Sequence, residues 1–359
     1  MTSLWTPTTV GNVRLPHRLA LAPMTRSRAN ADGTPSDLVP TYYAQRASLG
    51  LLITEGVQPS EDGQGYMMTP GIHSSAQVEG WKKVTAAVHA KGGHMFMQLM
   101  HAGRMSHPDN TPHHRQPVAP SALSAGQQMF TPAGMQDTPV PRALTTEEVG
   151  QTVEDFRKAA RNAIDAGMDG VEIHGANGYL INQFLAPNAN IRTDRYGGSI
   201  EKRARLAIEI ATAIAEEIGP ERTAIRLSPG LDIGGLVEGP DGPELYRYLI
   251  GELDRLNLAY LHVFHFGSEQ LLKDIRALWS QKLLVLRPGR TLDTLATDIE
   301  TGLADVVPVG RWGLANPDFA ERLRQGAPLN EPDANTFYSS GAAGYTDYPT
   351  LQPSQSAVA

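Results

Sequence analysis

The sequence predicts an α/β fold, a single (β/α)8 TIM barrel with an excursion after its third strand. Short apolar runs alternate with amphipathic helical patterns, which is the layout of βα units feeding a parallel sheet. Eight such runs can be counted, at 19–22, 51–54, 95–99, 171–174, 224–227, 260–264, 283–286 and 306–309. A chain of 359 residues without internal repeats or low-complexity linkers suits one barrel, so a single domain over 1–359 is expected. A doubly wound sheet is the alternative use of the same units.

Each element carries its own signals. The first run ends in Ala22-Pro23-Met24-Thr25, the second in Thr54-Glu55-Gly56, and the third in Gln98. Residues 104–140, rich in Pro, Ser and His, form a long excursion of the kind that serves as a functional lid. From 145 to 166, Val149, Val153, Phe156, Ala160, Ala163 and Ile164 recur at helical spacing. Thr145 with Glu148 fits a capping box at the start of that helix, and Gly167 closes it. The fourth run ends in His174, the fifth in Arg226, and the eighth in Gly310-Arg311. After it, Asn316 is expected to cap a helix that has Pro317 in its first position and runs to Gly326. The tail from 339 to 359 carries Tyr345 and Tyr348 and can pack on its own barrel or reach a neighbour.

Composition narrows the function. With 31 Lys+Arg against 38 Asp+Glu the formal net charge is −7, and no basic block exists to neutralise nucleic-acid phosphates. The absence of cysteine removes disulfides, thiol nucleophiles, iron–sulfur clusters and Cys-ligated zinc, so redox chemistry would need a bound cofactor. No leader pattern opens the sequence and no run approaches the length of a membrane span, so a cytoplasmic protein acting on small molecules, with no membrane partner, is expected. Monomer and homo-oligomer both remain open.

In a barrel the chemistry gathers where strands end and βα loops begin. There, Thr25, Gly56, Gln98, His174, Arg226 and Arg311 would form a ring of donors around one mouth. Any one of them has a structural explanation, such as a buried carbonyl satisfied by Gln98 or an internal ion pair for Arg226. Together they suit a flat, electron-rich ring with carbonyl oxygens, and a flavin has that shape. Gly289, Gly310 and Arg311, on the loops after strands seven and eight, lie where barrels bind phosphate. His174 and Asn177, three residues apart, can both donate to one oxygen, and Tyr179 can deliver a proton.

The run HGANGYL at 174–180 resembles the Old Yellow Enzyme family of FMN-dependent ene-reductases. The same holds for APMTRSR at 22–28, TYYAQR at 41–46, TEG at 54–56, QGYMMTPGIH at 64–73, RTDRYGGS at 192–199 and TFY at 336–338. The resemblance implies tightly but non-covalently bound FMN. Thr25 would bond the flavin, with Pro23 and Met24 beside it; Gly56 and Gln98 would meet its pyrimidine edge, Arg226 its N1/O2 region, and Gly289, Gly310 and Arg311 its phosphate. It also implies ping-pong reduction of an α,β-unsaturated carbonyl or nitro compound, with NADPH or NADH as hydride donor. His174 and Asn177 would hold the substrate oxygen and Tyr179 would protonate the neighbouring carbon.

Three departures from the family pattern bear on the site. Met100 stands where many relatives have tryptophan, replacing a rigid wall with a flexible one at the substrate. Arg287-Pro288-Gly289-Arg290 replaces paired glycines, and proline offers no amide to phosphate. The segment Val263-Phe264-His265-Phe266 lacks the usual acidic residue. Two rival readings are a metal-dependent barrel using His101, His107, His113, His114, His262 or His265, and a non-catalytic binding barrel. The first would need a carboxylate–histidine pairing on strand ends, and none is evident in the sequence.

Overall fold

The computed structural model describes residues 3–351. Eight parallel strands form its centre: β1 (Leu19–Leu21), β2 (Leu51–Ile53), β3 (His94–Leu99), β4 (Gly170–His174), β5 (Thr223–Leu227), β6 (Tyr260–Phe264), β7 (Lys282–Leu286) and β8 (Val307–Val309). Their pairing runs β7-β6-β5-β4-β3-β2-β1-β8, and a bridge between Leu284 and Val306 brings the two ends together. This is a nearly closed TIM barrel, and each strand lies within one residue of its predicted bounds. The accuracy has a simple cause. Strands buried on both faces read as continuous apolar runs, and here all residues of β1 to β5 except His94 are buried.

The core has two parts. Most apolar side chains lie between the strands and the outer helices. A smaller cluster fills the barrel itself, with Phe96, Ala224, Tyr260, Leu284 and Val306 resting on Val10, Val13 and Leu15 of an N-terminal hairpin. That hairpin plugs one end, which leaves the other for the site.

The helix Thr146–Asp165 begins as predicted. The Thr145 hydroxyl accepts from Glu148 N–H, and the Glu148 carboxylate accepts from Thr145 N–H. Gly167 follows with φ +87°, a left-handed conformation that glycine adopts without strain. After β8 the expected cap is wrong. The chain turns at Gly310 into a short helix, Arg311–Ala315, and the next helix, Phe319–Gln325, starts after Asp318 rather than Asn316. Asn316 is buried, and its side chain is drawn away from capping because it donates to the Trp312 and Asn330 carbonyls.

The excursion folds into two short strand pairs, including the hairpin Gln128–Thr131 with Gly134–Asp137. The excursion contributes no residue to the lining of the barrel-mouth cavity described below. It is tied instead to neighbouring loops. Arg104 donates to the Gly234 and Gly235 carbonyls, and Asn110 to that of Gly65.

The C-terminal segment packs on its own barrel as far as residue 351; residues 352–359 of the tail lie outside the described part. Arg28 donates to the carbonyls of Thr336, Phe337, Gly341 and Ala343, and Arg26 to those of Phe337 and Gly344. Tyr345 stacks on Tyr42 with ring centres 4.1 Å apart. Among the described residues no helix is long and apolar enough to cross a membrane.

Candidate active site

A cavity of about 710 Å³ opens at the C-terminal ends of the strands. It is lined by every residue singled out for the site: Pro23, Met24 and Thr25 after β1, Gly56 after β2, Gln98 and Met100 from β3, and His174, Asn177 and Tyr179 from β4 and its loop. Arg226 of β5, Gly289 after β7, and Gly310 and Arg311 after β8 complete the set.

Strand register produces this convergence. His174 pairs with Arg226, and Arg226 with His262, so neighbouring strands carry polar side chains in register. The next four residues bend sharply. Asn177 adopts φ +60°, a left-handed conformation that asparagine tolerates better than most, and its N–H donates to Ser228 Oγ at 2.9 Å. Gly178 follows at φ +84°, where an added Cβ would meet the Ile233 carbonyl oxygen at 3.0 Å.

The polar atoms here are buried without protein partners. His174 Nδ1, Asn177 Oδ1 and Arg226 Nε reach neither solvent nor any hydrogen-bond partner among the described residues. Burial, Arg226 and His262 hold His174 well below the usual histidine range, so its ring is neutral. An unpartnered acceptor is less costly to bury than an unpartnered N–H, which puts the ring proton on Nε2. Arg226 is buried, makes no side-chain hydrogen bond among the described residues, and lies over the Phe264 ring at 4.9 Å. Phe264 also lines the cavity, which gives the segment lacking the family's acidic residue a definite contact.

Tyr179 is pushed well above the usual phenol range, first by burial and then by Tyr66, so it keeps its proton at working pH. Its hydroxyl donates to that of Tyr66 at 3.2 Å. The motif at 64–73 contains Tyr66, but nothing local shows that this side chain meets a tyrosine 113 positions away. Phe337 and Tyr338 were likewise legible only as a motif. They reach the cavity because Arg26 and Arg28 grip the carbonyls around them.

Glycine and methionine fit as a pair. A Cβ on Gly56 would lie 2.6 Å from Met100 Sδ, so only glycine lets that wall close. In the loop after β7, Arg287 and Arg290 are neutralised by Asp298, and Arg287 also by Glu269. Arg311 forms no ion pair among the described residues and lies 5.9 Å from the Phe337 ring centre. Gly289, at φ +72°, stands in open space.

The histidines of the rival metal reading scatter. Among the described residues no three His, Cys, Asp or Glu side chains gather into a metal-holding group. Burial pushes His101 down to about 4, and its Nδ1 accepts from Gly103 N–H. A carboxylate–histidine pair does exist, away from the strand ends. Glu172 and His262 meet inside the barrel one level beneath the cavity, where reading only the strand ends overlooked them.

Known proteins resolve the family. Residues 3–330 match the model for the NADH:flavin oxidoreductase / NADH oxidase family. The chain belongs to this family. Its Old Yellow Enzyme relatives include 12-oxophytodienoate reductase 2 of Arabidopsis thaliana, 41% identical over 97% of this chain and 96% of the relative. A probable flavin mononucleotide-dependent alkene reductase of Leishmania infantum is 42% identical over 96% of both. The structure of morphinone reductase in complex with tetrahydroNAD superposes with a TM-score of 0.94, at 46% identity over 98% of each chain. As a member of the Old Yellow Enzyme family, the chain is an FMN-dependent oxidoreductase that reduces activated carbon–carbon double bonds.

Proposed function

We propose that the protein holds FMN in the barrel mouth and reduces α,β-unsaturated carbonyl or nitro compounds, with NADPH or NADH as the reductant in a ping-pong cycle. The carrying observation is that His174, Asn177, Tyr179 and Arg226 converge on one cavity, where the buried Arg226 side chain makes no hydrogen bond among the described residues. A buried guanidinium without an acceptor is costly to keep, and a bound ring system with carbonyl oxygens would accept from it. The donor set fits FMN. Thr25, Gly56, Gln98 and Arg226 would surround the ring with Pro23 and Met24 along one side, while Gly310 and Arg311, whose charge is not neutralised by a neighbour, would take the phosphate. Gly289 is a lesser contributor, because Pro288 beside it has no N–H to offer.

Bound FMN supplies transfer of reducing equivalents from the nicotinamide to the alkene. The chain's own residues do the rest. His174 Nε2–H and the Asn177 amide donate to the substrate carbonyl or nitro oxygen, where negative charge accumulates, and each well-placed donor is worth about 3 kcal/mol in such a site. Because His174 is neutral, it stabilises that charge by hydrogen bonding and does not surrender a full proton. Tyr179 holds the proton destined for the carbon next to the activating group, and Tyr66 lies within reach to restore it. Met100, Phe264, Phe337 and Tyr338 supply the apolar walls around the substrate.

The test is optical. Purified protein loaded with FMN should be yellow, bleach anaerobically with NADPH or NADH, and recover its colour on adding cyclohexenone. Protein that takes up no flavin, or whose bleached flavin is not reoxidised by any enone, would overturn the proposal. Running both nicotinamides side by side decides the preferred donor.

A further inference from the structure

Directly beneath the cavity, the barrel contains a charged layer that the proposed reaction does not by itself require. Alternation along β4 places Glu172 on the same inner face as His174, and along β6 places Tyr260, His262 and Phe264 on one face. Register sets Glu172 opposite Gln98 and Ala224. The Glu172 carboxylate is fully buried, and it accepts from Gln98 Nε2 at 2.8 Å and from His262 Nδ1 at 2.9 Å. Beneath it the Tyr260 hydroxyl, buried without a hydrogen-bond partner among the described residues, faces the carboxylate, and the Tyr260 ring lies 5.5 Å from that of Phe96.

The ionisation of this layer follows from its hydrogen bonds. Burial holds His262 below the usual histidine range, and its Nε2 has no hydrogen-bond partner among the described residues. A cationic ring would leave a buried N–H unpaired, whereas a neutral ring with its proton on Nδ1 leaves only an acceptor. Burial opposes the charge on Glu172 as well, while the hydrogen bonds donated by His262 and Gln98 and the charge of Arg226 favour it. The layer therefore carries one negative charge, on Glu172, close to the one positive charge of Arg226. The two do not touch, so the Arg226 guanidinium stays available to the cavity.

We propose that Glu172 and His262 are positioning residues for the pyrimidine edge of FMN. The carboxylate can only accept, so it holds the Gln98 amide with N–H downward and leaves the carbonyl oxygen for the cavity. It also offsets Arg226, so the flavin meets a floor near zero net charge and is less easily reduced than arginine alone would make it. His262 keeps Glu172 ionised by donating to it. The inference rests on the FMN reading and adds to it a control of flavin potential from outside the contact shell.

The experiment compares FMN-loaded wild type, Glu172→Gln and His262→Leu by spectroelectrochemical titration from pH 5 to pH 8, together with FMN dissociation constants. Glu172→Gln should keep the yellow spectrum and shift the ratio of affinities for reduced over oxidised FMN about tenfold or more toward the reduced form. For a two-electron couple a tenfold shift is a rise of about 30 mV. In His262→Leu the carboxyl loses a donor and its pKa rises. The potential of that variant should therefore match Glu172→Gln at acid pH and return toward wild type at alkaline pH, beyond the slope common to all three proteins.

Potentials unchanged in both variants, even with lowered melting temperatures, would make the pair merely structural and overturn the proposal. If Glu172→Gln does not fold, the pH dependence of His262→Leu decides alone. Wild type that binds no FMN would defeat the functional reading and this inference with it, whereas yellow wild type with unmoved variants defeats the positioning role only.

Discussion

Arg226 and the trio Arg26, Arg28 and Arg46 are all buried, and they differ in what they hold. Arg28 donates to five backbone carbonyls and the Ser339 hydroxyl, while Arg46 donates to the carbonyls of Tyr42, Gly313, Leu314 and Tyr345. Their flat faces lie against Tyr345 and Tyr42, at 4.5 and 3.9 Å from the ring centres. Arg226 has an aromatic face to rest on but no acceptor among the described residues. The difference separates two uses of the same side chain. A guanidinium surrounded by carbonyls ties distant segments together, here the loop after β1 to the C-terminal segment that carries Phe337 and Tyr338. One that is buried with its N–H groups unclaimed is a binding group whose partner comes from outside the chain.

The largest expected effect is on the tied side. Arg28→Ala should leave several buried carbonyls without donors and lower the unfolding free energy by about 3–5 kcal/mol, read from urea denaturation. A wild-type midpoint would show that the trio does not clamp the segment. On the binding side, His174→Ala combined with Asn177→Ala should leave FMN bound and reducible while slowing reoxidation by cyclohexenone by roughly 10³-fold, since two donors to the substrate oxygen are lost. Equal reoxidation would remove them from the substrate site.

A third effect sharpens the trio's electrostatics. Glu55 accepts from Arg26 N–H at 2.9 Å, yet burial outweighs that bond and its other positive neighbours and raises its carboxyl to about 7. The folded state therefore keeps this proton at pH values where the unfolded chain has lost it. Stability should fall by about 3 kcal/mol as pH rises from about 4.5 to about 7 and then level off, and Glu55→Gln should remove that slope. A slope that persists unchanged in the variant would place the titration elsewhere.

The smallest effect on stability belongs to Arg226→Met. Removing a desolvated charge that donates no side-chain hydrogen bond among the described residues should change apoprotein stability much less than Arg28→Ala does, yet weaken FMN binding at least about tenfold and slow its reduction. Destabilisation as large as that of Arg28→Ala would erase the contrast between the two sites.

How much of this was legible follows the range of each signal. Apolar runs and the Thr145–Glu148 box are local, so the strands and that helix start could be placed closely. The ring of site residues was legible because a barrel brings the ends of its strands together. Features that depend on pairing far along the chain were not. Tyr66 meets Tyr179, and Arg28 meets residues near 340, through contacts that no periodicity announces. Glu172 and its pairing with His262 were hidden for another reason, since attention to strand ends skips the level below, although the alternation Glu172–His174 pointed both side chains the same way. Asn316-Pro317 had the composition of a helix start, but carbonyls across the fold claimed the asparagine.

The central claim is that the polar side chains gathered at the barrel mouth serve FMN and its substrate, and Tyr179 offers the most direct test. Tyr179→Phe keeps the ring's packing against His174 and Tyr66, with ring centres at 5.1 and 6.3 Å, and removes only the proton. The measurement is anaerobic stopped-flow of the FMN-loaded variant, reduced with NADPH and then mixed with cyclohexenone or with a nitroalkene, whose nitronate product persists without immediate protonation at carbon. Flavin reduction should be unchanged, reoxidation by cyclohexenone should fall by about 10²-fold or more, and reoxidation by the nitroalkene should stay close to wild type. Equal slowing with both substrates, or none with either, would contradict the account.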